Sequence, residues 1–434
     1  MPSFHYWQNL RDIGDVTAGY VGMGDRYGNK NGGIQSFLIH AVQHGARIFH
    51  QCHVTKICRS PTTTGHQRAT GVECRIMCSD GIVRHMVVHA QRRVVVAAGA
   101  LHSPCLLRQS GFRNYHIGKH LRLHPVAAAM GFYPCEAPID SILGAPMTTV
   151  CNEFASGPGH TGYGAKIECP CSYPGLLAAG SSWISSKVCK QRLLRYRNAV
   201  PLIALQRDSG DGGSVKYSLD GKSLVVDYKI EPNDAKSIIQ SIQGAIRILI
   251  ASGADEVSTG HIRDTGYIVS GKTNPNEYSP DETAVEDYLS SITKRDMKDH
   301  EIGFFSAHQM GTCRMSALSQ DGVVDPNGET WECDDLFVMD SSIFPTASGS
   351  NPMVTVLTIA HLLSTRLCTL LKMQEKFNTG IDLSTEGSTN AVNLFERRKV
   401  SRENIAITTF GKTKGQLLAL PIILAILGYL IANW

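Results

Sequence analysis

The segment Leu336-Phe-Val-Met-Asp340-Ser-Ser342 decides the fold, because it predicts a buried strand that ends in an acid. A Gly-rich turn follows, and Ser350-Asn351-Pro352-Met353 then opens a helix predicted to run to about Leu371. Such a strand, turn and helix start can place backbone N–H groups beside a cofactor. Earlier in the chain, Val94-Val-Val-Ala-Ala-Gly99 predicts a second strand, buried on both faces.

The middle of the chain has a different character. Residues 126–230 are rich in Gly, Pro and Ser, carry short strand-like runs, and contain a predicted hairpin around Asp220-Gly221. A helix is predicted from Pro232 to a stop at Gly253. Its apolar stripe has helical spacing and consists of Ala235, Ile238, Ile239, Ile242, Ala245, Ile246, Leu249 and Ile250.

Composition excludes several classes of protein. The chain has 434 residues, 42% of them hydrophobic and 18% charged, which is typical of a globular protein and not of a disordered one. Its formal net charge is +4, but residues 397–416 alone hold six basic residues and one acidic residue. The folded body is therefore nearly neutral, which argues against nucleic acid as a partner. The thirteen cysteines form no C-x-x-C pair, so no metal site is predicted.

The C-terminus has the composition of a membrane anchor. Residues 417–434 contain no charged side chain and have no polar face, and about 20 apolar residues cross a bilayer. A C-terminal core helix is the alternative. The basic residues that precede the segment favour the cytoplasmic side of the membrane for the linker. The expected membrane is that of the endoplasmic reticulum or the peroxisome.

Two glycine patterns resemble nucleotide-binding loops without the surroundings that such loops need. Residues 266–273 match the phosphate-binding P-loop, but no apolar strand precedes them, and Pro275 and Pro280 prevent a helix from starting after them. Gly22, Gly24 and Gly28 have the wrong spacing for a dinucleotide fingerprint. Both patterns are predicted to be ordinary loops.

The segment His308-Gln-Met-Gly-Thr-Cys-Arg-Met315 and Asn351, which lie 43 residues apart, are the strongest functional signal. Together with Val323-Val-Asp325, Val338-Met-Asp340 and Gly99-Ala-Leu-His-Ser103, they resemble the glucose–methanol–choline (GMC) family of FAD-dependent oxidoreductases. Residues 328–332 and 345–349 are similar to its long-chain fatty alcohol oxidase branch.

The resemblance implies a fold and an activity. The expected fold class is α/β (α+β): an incomplete FAD-binding doubly wound domain that lacks its N-terminal βαβ unit, an antiparallel-sheet substrate domain and a C-terminal hydrophobic helix. The expected activity is oxidation of long-chain primary alcohols to aldehydes, with molecular oxygen reduced to hydrogen peroxide. A truncated, non-catalytic, membrane-tethered remnant and a quinone-linked alcohol dehydrogenase are the open alternatives.

The resemblance also implies the roles of individual residues. His308 is expected to take the hydroxyl proton, a role that suits a neutral imidazole, and Asn351 to donate a hydrogen bond to the alcohol oxygen. The expected FAD-binding residues are Val54, Ala98, Gly99, Ala100, Asp340, Ser341, Pro352 and Met353.

We expect the chain to divide into five parts. They are the remaining FAD-binding part (1–125), the substrate-binding domain (126–300), the return to the FAD-binding domain with the catalytic pair (301–371), a basic linker (372–416) and the probable transmembrane anchor (417–434).

Overall fold

The computed structural model describes residues 32–134, 139–140, 147–221, 223–269, 281–295, 297 and 301–378. After one π-helical turn, Ile34–Leu38, seven α-helices follow in this described part of the chain. In chain order they are α1 Ile39–Gln43, α2 Gly99–Gln109, α3 Pro174–Gly180, α4 Ser186–Leu194, α5 Pro232–Ala251, α6 Glu282–Thr293 and α7 Met353–Asn378.

The strands of the described residues are short. In chain order they are β1 Cys52–Pro61, β2 Gln67–Met77, β3 Val83–His89, β4 Val94–Val96, β5 Lys119–Leu121, β6 Val126–Phe132, β7 Val150–Cys151, β8 Ala165–Glu168, β9 Ala199–Gln206, β10 Gly213–Tyr217, β11 Leu224–Asp227, β12 Glu256–Thr259, β13 Tyr267–Ile268, β14 Cys333–Asp334 and β15 Leu336–Val338.

The two strands that the sequence singles out lie side by side. β15 pairs in parallel with β4, with Leu336 opposite Val94 and Val338 opposite Val96. All three residues of β15 are buried, as predicted, but Val95 of β4 is 45% exposed. The prediction that β4 is buried on both faces is therefore wrong, because a continuous apolar run does not reveal how many of its faces are covered.

The middle of the chain forms the predicted antiparallel sheet. Its six strands are ordered β13-β12-β6-β9-β8-β7 and all fall within residues 126–300. The predicted hairpin is confirmed as β10 and β11, but β10 also pairs with β5, which precedes residue 126. The mixed class of fold, with antiparallel sheets, is confirmed.

Helix α5 covers one face of this sheet. It begins with Pro232 in its first turn and ends at Ala251, two residues before Gly253, whose φ is +100°. The predicted apolar stripe is largely buried and joins one core with Ala129 of β6 and Val257 of β12. The helical period of the apolar residues, with proline and glycine at the two ends, predicted this element correctly.

Helix α7 is longer than predicted. It continues past Leu371 to Asn378, so residues 372–378 belong to a helix and not to the linker. The helix continues because neither glycine nor proline interrupts it before Gly380. Met353–Glu375 has the length and the mean hydropathy, 1.6, of a helix that spans a membrane. In its most apolar stretch of 18 residues, 11% is buried. Core helices of soluble proteins can have the same length and composition. The predicted anchor, residues 417–434, lies outside the described residues.

The core beneath α5 gives a direct test of the packing. Ile246→Ala removes a fully buried side chain and is expected to lower the free energy of unfolding by about 2–5 kcal/mol, because it leaves a cavity. Ile248→Ala, on the same helix but 40% exposed, is expected to cost less than about 1.5 kcal/mol. Urea unfolding of both variants measures the difference. Equal losses would contradict the described packing.

Candidate active site

The carboxyl ends of β4 and β15 are joined by the carboxylate of Asp340. Its Oδ2 accepts hydrogen bonds from the backbone N–H of Gly99, at 2.9 Å, and from the Ser103 hydroxyl, at 2.5 Å. Its Oδ1 accepts from the N–H of Ser342 at 2.8 Å. A carboxylate at the start of α2 is favourable because the helix presents unpaired N–H groups there. Asp340 therefore aligns two segments that are 241 residues apart.

This edge brings five of the predicted cofactor residues together: Ala98, Gly99, Ala100, Asp340 and Ser341. Gly99 has a φ of +79°, and no atom lies within 4 Å of the position that a Cβ would occupy. The preceding Ala98 is exposed. The N–H groups of Ala98 and Gly99 donate within the chain, to Ser103 and Asp340, so the part of the bend that is open to a ligand is the space beside the Gly99 Cα.

The same edge is hydrogen-bonded to the segment that carries His308. The hydroxyl of Ser341 donates to the carbonyl oxygen of Gln309 at 2.9 Å, and the N–H of Gly311 donates to the carbonyl oxygen of Ser341 at 3.1 Å. His308 itself is held by its N–H, which donates to the Ser306 hydroxyl at 3.2 Å. Strand edge and histidine thus form one hydrogen-bonded unit.

The imidazole of His308 faces a second histidine, His124, which the sequence analysis missed. The two Nδ1 atoms are 3.2 Å apart, and the rings are nearly perpendicular, with centroids 5.3 Å apart. His124 is fully buried, and its Nε2 accepts a hydrogen bond from the N–H of Gly349 at 3.2 Å. One buried ring therefore lies between His308 and the segment that leads to Asn351.

The backbone at His124 is held by Asp208. The N–H groups of Leu123 and His124 donate to the two carboxylate oxygens at 2.8 and 3.2 Å. These bonds hold His124 at a φ of +48°, a conformation that is uncommon for a residue other than glycine. In the sequence, His124 stands immediately before Pro125 and belongs to none of the motifs described above, so no sequence signal marked it as a site residue.

Both histidines are neutral near pH 7. Burial lowers the pKa of His308 to about 4 and that of His124 to about 3. The nearby His308, Arg207 and Lys166 lower the pKa of His124 further. The pair can therefore exchange hydrogen bonds as neutral rings, with one donor and one acceptor nitrogen each.

Asn351 lies at a second polar contact that the sequence did not reveal. Its Nδ2 donates to Oε2 of Glu168 at 3.3 Å and lies 3.8 Å from the Met147 sulfur. Glu168 ends strand β8 and is 3% exposed. Burial raises the pKa of this carboxyl, against the smaller opposing effects of Asn351 and Lys166. Asn351 thus lies against a buried carboxyl group that can take up a proton.

The remaining predicted residues lie at two places. Pro352 is buried and Met353 is 41% exposed at the start of α7, directly after Asn351. Val54 lies on β1 opposite Cys74, in a sheet that contains neither β4 nor β15. Among the described residues, no group of three acidic, histidine or cysteine side chains is arranged to hold a metal ion.

Gly349 is the glycine on which the histidine pair depends. Its φ is +73°, and a Cβ at this position would lie 2.8 Å from Cδ of Arg207. Arg207 is itself fixed, since its Nε donates to the carbonyl oxygen of Ala347 at 3.1 Å. Gly349→Ala should therefore lower the free energy of unfolding by about 2 kcal/mol or more, through backbone strain and the contact.

A matched control separates the two causes. Gly81 has a similar φ, +77°, with nothing within 4 Å of a Cβ, so Gly81→Ala should cost only about 1 kcal/mol. Thermal unfolding of both variants gives the comparison. A loss in Gly349→Ala no larger than that in Gly81→Ala would show that Arg207 does not confine this position.

The buried neutral rings predict a pH dependence of stability. An unfolded histidine takes up a proton near pH 6.5, whereas His124 stays neutral in the folded chain until about pH 3. The unfolded state therefore binds more protons between these values, and the free energy of unfolding falls as the pH is lowered through this window. His124→Gln removes this contribution, on the order of 1–3 kcal/mol.

The measurement is the thermal midpoint between pH 7 and pH 4. Over this range the thermal midpoint of His124→Gln should fall by fewer degrees than that of the wild type. The midpoint of His85→Gln, at an exposed position on β3, should fall as much as that of the wild type. Parallel curves for all three proteins would refute a buried neutral His124.

Comparison with known proteins places the chain in a family. Residues 211–360 match the C-terminal domain, and residues 8–126 the N-terminal domain, of the GMC oxidoreductases. Long-chain-alcohol oxidase FAO4A of Arabidopsis thaliana is 32% identical over 368 residues, which are 83% of this chain and 48% of that protein. Long-chain-alcohol oxidase FAO3 of the same plant is 32% identical over 80% of this chain and 46% of its own length.

Solved structures match at lower sequence identity. Pyridoxine 4-oxidase from Mesorbium loti superposes with a TM-score of 0.46 at 18% identity, over 73% of this chain and 57% of its own. A variant of Aspergillus oryzae formate oxidase, studied for FAD modification, superposes with a TM-score of 0.49 at 14% identity. The match covers 72% of this chain and 59% of the formate oxidase chain. The chain spans about half the length of the curated relatives it matches. With both domains of one family matched in order, the chain belongs to the GMC oxidoreductases.

Proposed function

We propose that the protein oxidises long-chain primary alcohols to aldehydes with FAD, and that molecular oxygen is reduced to hydrogen peroxide. The observation that carries this proposal is the contact of neutral His308, through His124, with the segment that leads to Asn351, beside the shared edge of β4 and β15. The names of the Arabidopsis relatives support a long-chain alcohol as the substrate.

The residues at the strand edge fit a flavin nucleotide. The bend at Ala98 and Gly99, with open space beside Gly99 and buried Ala100 behind it, would hold the ribose side, and Ser341, Pro352 and Met353 would lie along the flavin. The oxygens of Asp340 are bonded to Gly99, Ser103 and Ser342, so its proposed role is to shape the bend. Val54, on β1, is the proposed contact for the adenine. When bound, FAD supplies the acceptor for the hydride that leaves the alcohol carbon.

The chain's own polar groups would hold the alcohol oxygen. His308 and Asn351 are the proposed catalytic pair, and both are uncharged at neutral pH, so neither carries a charge whose desolvation would oppose binding of an apolar alcohol. Asn351 offers an amide N–H to the oxygen as negative charge develops on it. Two groups could take the hydroxyl proton, His308 as expected from the sequence, and Glu168, which the structure adds.

The proposed arrangement of the chain follows from the same family. Residues 1–125 and 301–371 would form the cofactor side and residues 126–300 the substrate side. We further propose attachment to a membrane that faces the cytoplasm, of the endoplasmic reticulum or peroxisome, through the apolar C-terminal region. The proposed anchor is residues 417–434, which contain no charged side chain, because the first residues of the apolar helix α7 are proposed to lie along the flavin.

The test is to purify the full chain with added FAD and to measure bound flavin by absorbance and peroxide release with dodecanol. Yellow protein that releases peroxide is expected. His308→Gln should reduce the rate by a factor on the order of 10² or more, since a group at the reacting oxygen is lost, whereas His85→Gln should leave the rate unchanged.

Other outcomes decide against parts of the proposal. Flavin-bound protein that reduces a quinone with dodecanol but consumes no oxygen would identify a dehydrogenase. Folded, colourless protein that releases no peroxide would contradict the proposed function and favour a non-catalytic remnant.

A further inference from the structure

The hydrogen bond from Gly349 determines which nitrogen of His124 carries a proton. A backbone N–H can only donate, so Nε2 of His124, at 3.2 Å, must accept. A neutral imidazole has one N–H, and His124 is kept neutral by burial and by the nearby Arg207 and Lys166. The proton of His124 therefore resides on Nδ1.

The same logic then fixes His308. Nδ1 of His124 faces Nδ1 of His308 at 3.2 Å, and a hydrogen bond between them needs one donor and one acceptor. Since His124 is the donor, Nδ1 of His308 accepts, and its single proton resides on Nε2. If both rings adopted the other tautomer, Nε2 of His124 would carry a proton and would face the N–H of Gly349. Two donors would then meet in a fully buried site without an acceptor between them, which is unfavourable.

This tautomer is unsuited to the proton-accepting role expected for His308. The lone pair of Nδ1 is engaged by His124, and Nε2 already carries a hydrogen. His308 can still donate this N–H to an alcohol oxygen, in the same way as Asn351. The hydroxyl proton must then go to another group.

Glu168 is the carboxylate placed to receive this proton. Its Oε2 is 3.3 Å from Nδ2 of Asn351, so an alcohol oxygen that accepted the second N–H of the same amide would lie near the carboxylate. The other nearby carboxylate, Asp208, already accepts from the N–H groups of Leu123 and His124 and from the Tyr228 hydroxyl. Among the described residues, the cations that act on the pKa of Glu168 or of His124 are Lys166 on β8 and Arg207 after β9.

We infer that His124 is a positioning residue that holds His308 as an N–H donor to the alcohol oxygen, and that Glu168 accepts the hydroxyl proton. This inference rests on the proposed function. In the step, the O–H bond breaks and its proton goes to the carboxylate of Glu168. Bound FAD would supply the acceptor for the hydride of the neighbouring C–H bond, and the two electrons left by the O–H bond would then form the C=O bond of the aldehyde.

The tautomer can be measured without cofactor or turnover. Long-range proton–nitrogen NMR spectra of the full chain with ¹⁵N-labelled histidine distinguish protonated from unprotonated ring nitrogens, and His308→Gln identifies the signals of His308. We expect Nε2–H and unprotonated Nδ1 at pH 7 in the wild type, and a mixture of tautomers in His124→Gln. A proton on Nδ1 of His308 in the wild type would overturn the inference.

The proton acceptor can be identified from pH profiles of kcat/KM in flavin-loaded protein. Glu168→Gln should lower kcat on the order of 10²-fold and abolish the fall in rate at low pH. His308→Gln should be slow but keep that fall, and Glu286→Gln, an exposed position on α6, should match the wild type. The reverse pattern would assign the acceptor role to His308.

The two readouts separate failure of this inference from failure of the proposed function. Wild-type protein without flavin or activity contradicts the function, and the NMR spectrum still reports the tautomer. Active protein with Nδ1–H on His308 leaves the function intact and refutes the role of His124.

Discussion

The site depends on one buried ring that gives one hydrogen bond and accepts another. His124 has no exposed surface, accepts from Gly349 and contacts His308, so it must remain neutral and keep its proton on one nitrogen. The cost of an unpaired buried donor enforces this choice. Three parts of the chain, around residues 124, 308 and 349, are thereby held in one arrangement.

The second constraint is the carboxylate of Asp340, which ties the ends of two parallel strands. Its oxygens accept hydrogen bonds from the free N–H of Gly99 at the start of α2 and from the N–H of Ser342 in the turn after β15. Because Ser341 is bonded to Gln309 and Gly311, the position of the strand edge determines that of His308. The edge that would hold a flavin is therefore linked by hydrogen bonds to the segment that carries His308.

Much of the fold could be predicted from local sequence, for physical reasons. Helix α5 was predictable because proline, glycine and a 3.6-residue apolar period agree with one another. The face of β4 that carries Val95 was not, since burial of a three-residue strand is decided by what lies across from it. The end of α7 was also missed, because its last residues form helices well without being apolar.

The site was predictable only where the residues belong to a family motif. His308, Asn351 and the strand ends carry that motif, whereas His124 and Glu168 have their partners 225 and 183 residues away along the chain. No local pattern records contacts over such separations. Their consequence, the position of one proton on His308, is visible only in the folded chain.

The central claim is that the strand edge and the polar groups beside it oxidise an alcohol. The most direct measurement mixes the flavin-loaded full chain with dodecanol in the absence of oxygen and follows flavin absorbance. The account predicts that the oxidised flavin band bleaches, and that aldehyde forms in an amount equal to the flavin. Bound flavin that keeps its oxidised spectrum at saturating dodecanol would contradict it.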